Sequence, residues 1–368
     1  MKRAEFNEAL RRKLDGIAEA DRKNILDYYN ECIDDRMDEG ASEEEAIAAL
    51  GSVDELAAAV LADTPVTGLI PRVIPKRERS DSAPQADAQV IGQDFRSVDA
   101  ELRSCDLRLA PSTDGRCRVV YDGSARFGTP EVRVLGNRLV LRFEPRALRW
   151  TDRISGWLQD SGVRLVTVYL PARDYADLRV ELDSGDCRLE AGLRFELADL
   201  RSKAGDIFCA SAIREMVRIG TASGDAEVEG VACDGEMVWQ SASGDFHAST
   251  VRCGKLRAGT TSGEIAVRGL DCGQAEIRTI SGEVTLEDAA VARELRLHTV
   301  SGDQRIGCRS VGTVSAVTVS GDIAMHLPRR MQFSTSTVSG SVTAPASDPA
   351  GAPCRVKSVS GDIAVYAE

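Results

Sequence analysis

The chain has 368 residues, of which 43% are hydrophobic and 5% aromatic, a composition typical of a globular protein with an aliphatic core. Its net charge is −12, and residues 1–63 hold 8 Lys+Arg against 17 Asp+Glu, a net charge of −9 that leaves −3 for the rest. An acidic chain of this kind is not expected to bind nucleic acid. No apolar run approaches a membrane span and the start lacks the apolar core of a secretion signal, which predicts a cytoplasmic protein.

Residues 1–63 are predicted to form a small all-α domain. Phe6, Leu10 and Leu14 are spaced for one helix face, and the capping boxes Ser42–Glu45 and Ser52–Glu55 predict two short helices. Between the first helix and the first capping box, a further helix is expected from about Ala20 to Glu39. Five of its side chains are expected to face inward: Ile25, Tyr29, Cys32, Ile33 and Met37. A four-helix module of this size is more typical of an interaction domain than of a structural cap.

Residues 64–89 are predicted to be a proline-rich linker. Their basic residues lie beside apolar ones, so a contact with anionic lipid is an alternative to a plain linker. The basic residues are Arg72, Lys76, Arg77 and Arg79.

Residues 90–182 alternate as strands and are predicted to form irregular early coils of a β-solenoid. The insert 144–162 breaks this alternation and brings together four apolar residues, Trp150, Ile154, Trp157 and Leu158. Tryptophan is enriched at interfaces, so these residues are candidates for a partner contact. The alternative is a lid over the open end of the solenoid, which would cover unpaired strand edges.

Residues 183–368 repeat a short motif, written TVSGD at 299–303 and 318–322, at intervals of 19 to 21 residues. A period near twenty residues with strand-like letters between turns predicts a solenoid, because each coil can bury its apolar side only against its neighbours. The predicted fold is therefore a parallel β-helix with about 19–20 residues per coil. The glycines of the repeat are Gly185, Gly205, Gly224, Gly244, Gly263, Gly282, Gly302, Gly321, Gly340 and Gly361.

Alignment on these glycines shows alternating apolar columns on both sides of the turn, and a Thr/Ser column three residues before it. The apolar columns are expected in the core, and the hydroxyl groups are expected to form hydrogen bonds between coils. A further column of β-branched residues is also expected to form a core ladder: Val300, Val319, Val338 and Val359.

Each repeat turn is predicted to be a corner in which the glycine takes a positive φ and the following acid caps the turn. Stacked acids would repel by about 1 kcal/mol per neighbouring pair in water, which could recruit calcium. One acid per coil is too few for a calcium site, so a turn-capping role is favoured. These acids are Asp186, Asp206, Asp225, Asp245, Glu264, Glu283, Asp303, Asp322 and Asp362.

No catalytic, cofactor or metal residue is predicted. The ten cysteines include no C-x-x-C pair, and Cys233, Cys253 and Cys272 recur at the repeat period as stacked small hydrophobic residues rather than disulfides. His247, His298 and His326 fall in different columns of the repeat and are not expected to form a cluster. Glycan-active enzymes need two carboxylates in different environments, and the equivalent acids of the repeat provide none that is distinct.

The stretch MDEGASEEEAIAALGSVDELAAAV (37–60) resembles the HAAS-type helical signalling domain of bacteria, and the SGD coils resemble the putative-adhesin β-strand-repeat family of unknown function. The resemblance implies no enzymatic activity, and proteins of similar architecture act in cell-envelope stress responses. Many relatives carry membrane-spanning helices between the two modules, and this chain does not.

The resulting hypothesis is a non-enzymatic interaction scaffold linked to envelope-stress signalling. Its helical module would dock a membrane or regulatory protein, and its solenoid would be the binding platform, at a cytoplasmic location that includes the periphery of the membrane. The alternatives are a structural scaffold that polymerises through the solenoid ends and, less favoured, a carbohydrate-active enzyme. Contact with a membrane surface and oligomerisation through the ends also stay open.

Overall fold

The structure is a computed structural model that describes residues 2–15, part of 22–57, 89–123, 128–144, 163–328 and 331–367. These residues form two units with separate hydrophobic cores, one within residues 6–57 and the other within residues 95–365. The prediction of a mostly β solenoid with a small α-helical module is confirmed. No helix in the described part of the chain is long and apolar enough to cross a membrane.

The helical unit contains α1 (Arg3–Lys13) and α2 (Glu43–Ala48). Phe6, Leu10 and Leu14 are fully buried, as the spacing predicts. The Ser42–Glu45 capping box is present, with the Ser42 N–H donating to Glu45 Oε2 at 3.0 Å and the Glu45 N–H donating to Ser42 Oγ at 3.4 Å. Glu55 of the second predicted box, with Ile25 and Cys32, lies outside the described residues.

Met37 is 39% exposed, so the prediction that it faces the core is wrong. Its sulfur lies 3.5 Å from Arg3 Nη2, and the same guanidinium forms an ion pair with Asp34. Methionine is adaptable enough to pack against a charged group at the surface. The core of this unit is completed instead by Tyr29 and Ile33, which are buried.

Within the described ranges the β unit has 23 strands, most of them parallel to their neighbours. Their bounds are β1 Gln89–Ile91, β2 Ser97–Leu102, β3 Asp106–Pro111, β4 Cys117–Gly123, β5 Glu131–Leu135, β6 Arg138–Phe143, β7 Val163–Leu170, β8 Asp174–Leu182, β9 Cys187–Leu189, β10 Arg194–Ser202, β11 Ile207–Cys209, β12 Ala212–Thr221, β13 Ala226–Glu229, β14 Ala232–Ser241, β15 Phe246–Ser262, β16 Ile265–Ser281, β17 Val284–Ser301, β18 Gln304–Val317, β19 Ile323–Leu327, β20 Met331–Ser336, β21 Val342–Thr343, β22 Ala352–Lys357 and β23 Ile363–Ala367.

A regular coil consists of a short strand segment, a bend, and a long strand segment that ends at the SGD corner. In the middle coils both segments belong to one continuous strand such as β16, whose buried residues form three groups along its length. The chain bends after the first group and again after the second, within the long segment. Each group therefore faces the interior from a different side of the coil. The inward residues of β16 are Ile265, Val267, Leu270, Cys272, Ala275, Ile277 and Thr279.

The core is built from columns of residues in register. Ile277 pairs with Ala258 on one side and Leu297 on the other, and all three are buried. The Trp239 ring stacks on Phe246 at a centroid distance of 4.9 Å. Most of the hydroxyl column is buried, and it links coils as predicted: the buried Thr221 Oγ1 donates to Oγ of the half-buried Ser241 at 3.0 Å.

At the carboxy-terminal end the coils do not stack in sequence order. Strand β22 lies between β18 and β20, and β23 lies between β19 and β21. The last coil of the sequence is therefore the penultimate coil in space, and the coil of β20 and β21 is terminal.

The amino-terminal end shows the same departure from sequence order. Strand β2 lies between β6 and β8, and β3 lies between β7 and β9. Strand β5 pairs with β6, β4 pairs with β7, and β1 pairs with β4, and all three pairings are antiparallel. These pairings are what makes residues 90–182 irregular.

Strands β6 and β7 belong to the end coil, and residues 144–162 connect them in the sequence. The next coil inward joins β2 to β3 through residues 103–105, and the Arg103 N–H donates to the Phe143 carbonyl at 3.0 Å. Trp150, Ile154, Trp157 and Leu158 lie outside the described residues, so their role as a partner contact stays a prediction.

The predicted core ladder of valines faces solvent. Val300, Val319, Val359 and Val338 stack in that spatial order, and their side chains are 38%, 45%, 49% and 84% exposed. The cause is strand parity: the Thr/Ser column one residue earlier points inward, so the next residue points outward.

The spatial order of the end coils is tested by disulfide formation. Ser315 of β18 pairs in register with Arg355 of β22, which pairs in register with Ser334 of β20. The double variant Ser315→Cys/Arg355→Cys should form a disulfide under mild oxidation, because neighbouring strands lie about 4.8 Å apart. Ser315→Cys/Ser334→Cys should not, because two strand spacings exceed the reach of a disulfide. Mass spectrometry of non-reduced peptides gives the result, and the reverse outcome would indicate stacking in sequence order.

Candidate functional site

The repeat glycines form a continuous ladder along the SGD corner. A Cβ built on Gly224 would lie 2.1 Å from the Gly205 carbonyl oxygen, and one built on Gly244 would lie 2.0 Å from that of Gly224. The ladder follows the spatial order, since Gly361 contacts the carbonyl of Gly321 and Gly340 contacts that of Gly361. The other corner glycines, Gly185, Gly205, Gly263, Gly282 and Gly302, make the same contact with the preceding coil.

Close approach, rather than positive φ, is what all these corners share. Gly282 has a φ of 153° and Gly321 a φ of 138°, but Gly224, Gly244 and Gly263 have no positive φ. The prediction of positive φ therefore holds for part of the ladder only. A side chain is excluded at every corner because the carbonyl of the neighbouring coil occupies its place.

The acids form a second ladder beside the glycines. Asp225 Oδ1 accepts a hydrogen bond from the Asp245 N–H at 2.8 Å, and Asp206 Oδ1 accepts from the Asp225 N–H at the same distance. The pattern continues through the interleaved coils, where Asp322 accepts from Asp362 at 2.8 Å. These acids cap the corner of the neighbouring coil, because each satisfies an N–H that no strand pairing reaches.

The ladder of acid-to-backbone bonds is interrupted where glutamate replaces aspartate. Neither Glu264 nor Glu283 accepts a backbone N–H from the next coil among the described residues. Glu283 instead forms an ion pair with Arg305 and accepts from Thr285 Oγ1 at 3.1 Å. One extra methylene moves the carboxylate away from the N–H, so the bond requires aspartate.

Two ladder members were missed by the sequence interpretation. Asp106 Oδ1 accepts from the Asp186 N–H at 2.9 Å, and the Cys105 carbonyl lies 2.3 Å from a Cβ built on Gly185. The stretch RSCD at 103–106 is the signal, because it shares the serine and the final aspartate of DSGD at 183–186, with Cys105 in the place of the glycine. At the other end Ser341 replaces the acid, and its N–H donates to Asp362 Oδ1 at 2.7 Å.

A shallow groove of about 910 Å³ follows the short strands beside the first half of the acid ladder. Its floor carries Arg108, Arg188, Phe208, Glu227 and His247, one from each successive coil. The Arg188 guanidinium lies 4.1 Å from the centroid of the Phe208 ring. The groove therefore combines an aromatic face with charges of both signs along the solenoid axis.

The cysteines and histidines lie in different parts of the solenoid. Cys233, Cys253 and Cys272 pair in register on neighbouring coils, as predicted, and are buried free thiols. Burial raises the pKa of Cys308 and of Cys354 to about 12, so these thiols are protonated at neutral pH. His247 lies in the groove, His298 on the outer face of the long strands, and His326 stacks on Tyr366.

Two family models match the chain. The Toastrack DUF4097 model matches residues 96–271 and 236–367, which span most of the sequence and nearly the whole solenoid. The chain belongs to the Toastrack DUF4097 family. The HAAS model matches residues 5–59, so a HAAS domain precedes the Toastrack domain.

Solved structures similar to the Toastrack domain come from other bacteria. A putative adhesin from Bacteroides fragilis is 13% identical, with 77% of this chain and 98% of that chain covered and a TM-score of 0.36. A putative lipid binding protein from Parabacteroides distasonis is 13% identical, with 76% and 96% covered and a TM-score of 0.33. A putative adhesin from Parabacteroides merdae is 10% identical, with 75% and 95% covered and a TM-score of 0.27. A search of curated proteins found no significant match.

The glycine ladder is tested by adding one methyl group. Gly263→Ala places a Cβ 2.1 Å from the Gly244 carbonyl oxygen, whereas Gly259→Ala in the same coil meets nothing closer than 3.8 Å. We expect Gly263→Ala to lower the free energy of unfolding by about 2 kcal/mol or more. Gly259→Ala should leave it unchanged or raise it by up to about 1 kcal/mol. Urea unfolding followed by circular dichroism measures both, and equal effects would contradict the ladder.

The acid ladder predicts a dependence of stability on pH. The N–H and the hydroxyl of Ser341 hold the pKa of Asp362 below its usual range. A lowered pKa stabilises the fold above the unfolded value near pH 4, and this contribution is lost as the pH falls through the folded value. Asp362→Ala should therefore lower the urea midpoint at pH 7 and have a much smaller effect at pH 2.5. Glu264→Ala, which removes a column acid without an accepted N–H, is the control and should show little difference between the two pH values.

Proposed function

We propose that this Toastrack protein is a non-enzymatic interaction scaffold linked to bacterial cell-envelope stress signalling. The observation that carries the proposal is the use of the corner carboxylates. Eight aspartates of the ladder, from Asp106 to Asp362, accept a backbone N–H of the neighbouring coil. Their equivalent structural task leaves no pair with the contrasting environments that glycan hydrolysis needs.

In this proposal the HAAS domain docks a protein partner, a membrane protein or a regulator of the stress system. The domain has a core of its own, so it can present a folded surface independently of the solenoid. Its exposed residues include acids of α2 such as Glu44 and the side chain of Met37. A mixed acidic and apolar surface is suited to a protein partner rather than to nucleic acid.

The solenoid is the binding platform in the proposed function. The groove along the short strands offers Phe208, Arg188 and His247 on a rigid sheet, which holds contact residues in place. We also assign a partner contact to Trp150, Ile154, Trp157 and Leu158. The support is the sequence: residues 144–162 connect β6 to β7, break the strand alternation and hold two tryptophans, which are enriched at interfaces.

The proposed location is the cytoplasm, with part of the population at the membrane periphery. Cys233, Cys253 and Cys272 are free thiols on adjacent strands, at a spacing of about 4.8 Å that is within the reach of a disulfide. A reducing compartment keeps such neighbours as thiols.

Open-ended polymerisation is a weaker alternative, because both ends of the solenoid are partly covered. At one end the Phe333 N–H donates to Ser347 Oγ at 3.0 Å and the Asp348 N–H donates to the Met331 carbonyl at 3.0 Å. At the other end the antiparallel strands β4 and β5 lie over the parallel coils. Covered edges of this kind oppose the addition of further strands.

The proposed function is tested by crosslinking and affinity capture in the bacterium that encodes the chain. The baits are the full chain and a chain that starts at residue 64 and so lacks the HAAS domain. A membrane or regulatory protein of the envelope-stress system should be enriched with the full chain and lost with the truncated one. Circular dichroism of the truncated chain controls for a folded solenoid, which its separate core predicts. Identical partners for both baits, or no envelope protein with either, would contradict the proposal.

A further inference from the structure

Five aliphatic side chains form an exposed ridge along the SGD corner in the carboxy-terminal half of the solenoid. Ile280, Val300, Val319, Val359 and Val338 are 54%, 38%, 45%, 49% and 84% exposed. Bridges between the serines that follow them place them one above the next in this order. Single exposed aliphatic residues are common at protein surfaces, but a contiguous row marks a binding surface.

The ridge is confined to these coils. The three preceding coils have Ala222, Ala242 and Thr261 at the same position. The glycine ladder does not require a large aliphatic residue at this position. In the coils with alanine or threonine, the corner glycine contacts the carbonyl of the neighbouring coil in the same way. The side chains of the ridge are free for another role.

A strip of cations runs beside the ridge on the outer face of the long strands. Arg278 precedes Ile280 by two residues and Lys357 precedes Val359 by two, so each pair points to the same side of its strand. From β12 to β22, the outward positions four, six and eight residues before each corner glycine hold seven Lys/Arg and three Glu. They are Arg218, Lys255, Arg257, Arg278, Arg296, Arg355 and Lys357, against Glu236, Glu276 and Glu294.

Part of this positive charge is unpaired. Arg257 and Arg278 both form ion pairs with Glu276, at 3.6 Å and 2.5 Å. Arg355 and Lys357 are exposed and form no ion pair within the described ranges of the solenoid. The surplus of cations is therefore largest beside Val359, the fourth of the five residues along the ridge.

The other half of the same face has neither feature. The outward positions of β2, β6, β8 and β10 hold four arginines and five acids, and each arginine is ion-paired. These arginines are Arg138, Arg142, Arg179 and Arg201, and the acids are Asp99, Glu101, Asp177, Glu181 and Asp199. The solenoid can therefore be built without a surplus of positive charge on this face.

We propose that the ridge and the cation strip together bind the surface of a bilayer that contains anionic phospholipids. The short aliphatic side chains enter the boundary between headgroups and acyl chains, while Arg278, Arg296, Arg355 and Lys357 contact headgroup phosphates. The net charge of −12 does not prevent this contact, because charges more than about 8 Å from the surface are screened at physiological salt.

Two features favour a bilayer over other polyanions. Among the described residues, the strip carries no Phe, Tyr or Trp on which a nucleic-acid base could stack, only the imidazole of His298 beside Arg278, and no helix or hairpin that could enter a groove. A straight row of similar short side chains also matches a planar, fluid surface better than the shaped pockets of a protein interface. The acids Asp303, Asp322 and Asp362 lie across the corner, so contact through the long-strand face turns them away from the bilayer.

The experiment is co-sedimentation of the full chain with vesicles of phosphatidylcholine alone and of phosphatidylcholine with about one-third phosphatidylglycerol. Binding to the anionic vesicles should be about tenfold tighter or more, and should weaken as salt is raised. Arg355→Gln/Lys357→Gln and Val300→Ser/Val319→Ser should each reduce it about tenfold. All four side chains are exposed, so the fold should be retained, which circular dichroism checks.

The matched control is Arg179→Gln/Arg201→Gln, which removes two arginines from the other half of the same face and should leave vesicle binding unchanged. Equal binding to both vesicle types, or equal losses for the control and test pairs, would overturn the proposal. Loss in the arginine–lysine pair without loss in the valine pair, together with equal retention on a duplex DNA resin, would indicate a general polyanion surface and would also overturn it.

Discussion

The contact between each corner glycine and the carbonyl group of the neighbouring coil is the constraint on which the rest of the solenoid depends. Coils that share backbone hydrogen bonds lie about 4.8 Å apart, and at the SGD corner this spacing leaves no room for a side chain. Once the glycines are stacked, the preceding hydroxyl residue must point inward and the following acid must lie beside the next N–H. Core columns, acid ladder and exposed ridge all follow from that register.

The sequence predicted most of the regular solenoid because a repeating fold repeats its chemistry. The apolar columns, the buried hydroxyl column and the stacked cysteines could all be read from residues aligned on glycine. The direction of the valines could also have been predicted, because Thr299 and Thr318 are inward and the next residue has the opposite parity. The sequence predicted that the acids cap the turns. It did not show that an aspartate carboxylate accepts an N–H of the next coil, because that bond depends on the length of the side chain.

The order of the end coils could not be predicted from the sequence. Every coil presents the same pattern to its neighbours, so stacking β22 on β18 and stacking β20 on β18 satisfy the same columns. What distinguishes them is the path of the connecting residues and the detailed packing of side chains. The antiparallel strands at the other end have ordinary alternation, and only the match of RSCD to DSGD indicated that residues 97–111 form a regular coil.

The same register determines which surface side chains are available for binding. Aspartates at the corner accept backbone N–H groups, so the available side chains are those of the groove beside Phe208 and of the ridge beside Lys357. The two lie on different faces of the solenoid, so the proposed partner and the proposed membrane surface would not compete for the same residues. The HAAS domain adds a third surface with its own core.

A crystallographic electron-density map of residues 89–367 tests the central claim most directly. The account predicts that the carbonyl oxygen of each corner glycine lies against the α-carbon of the next, in the order Gly302, Gly321, Gly361 and Gly340. A map in which these corners are separated by more than one strand spacing, or in which a side chain stands between them, would contradict it.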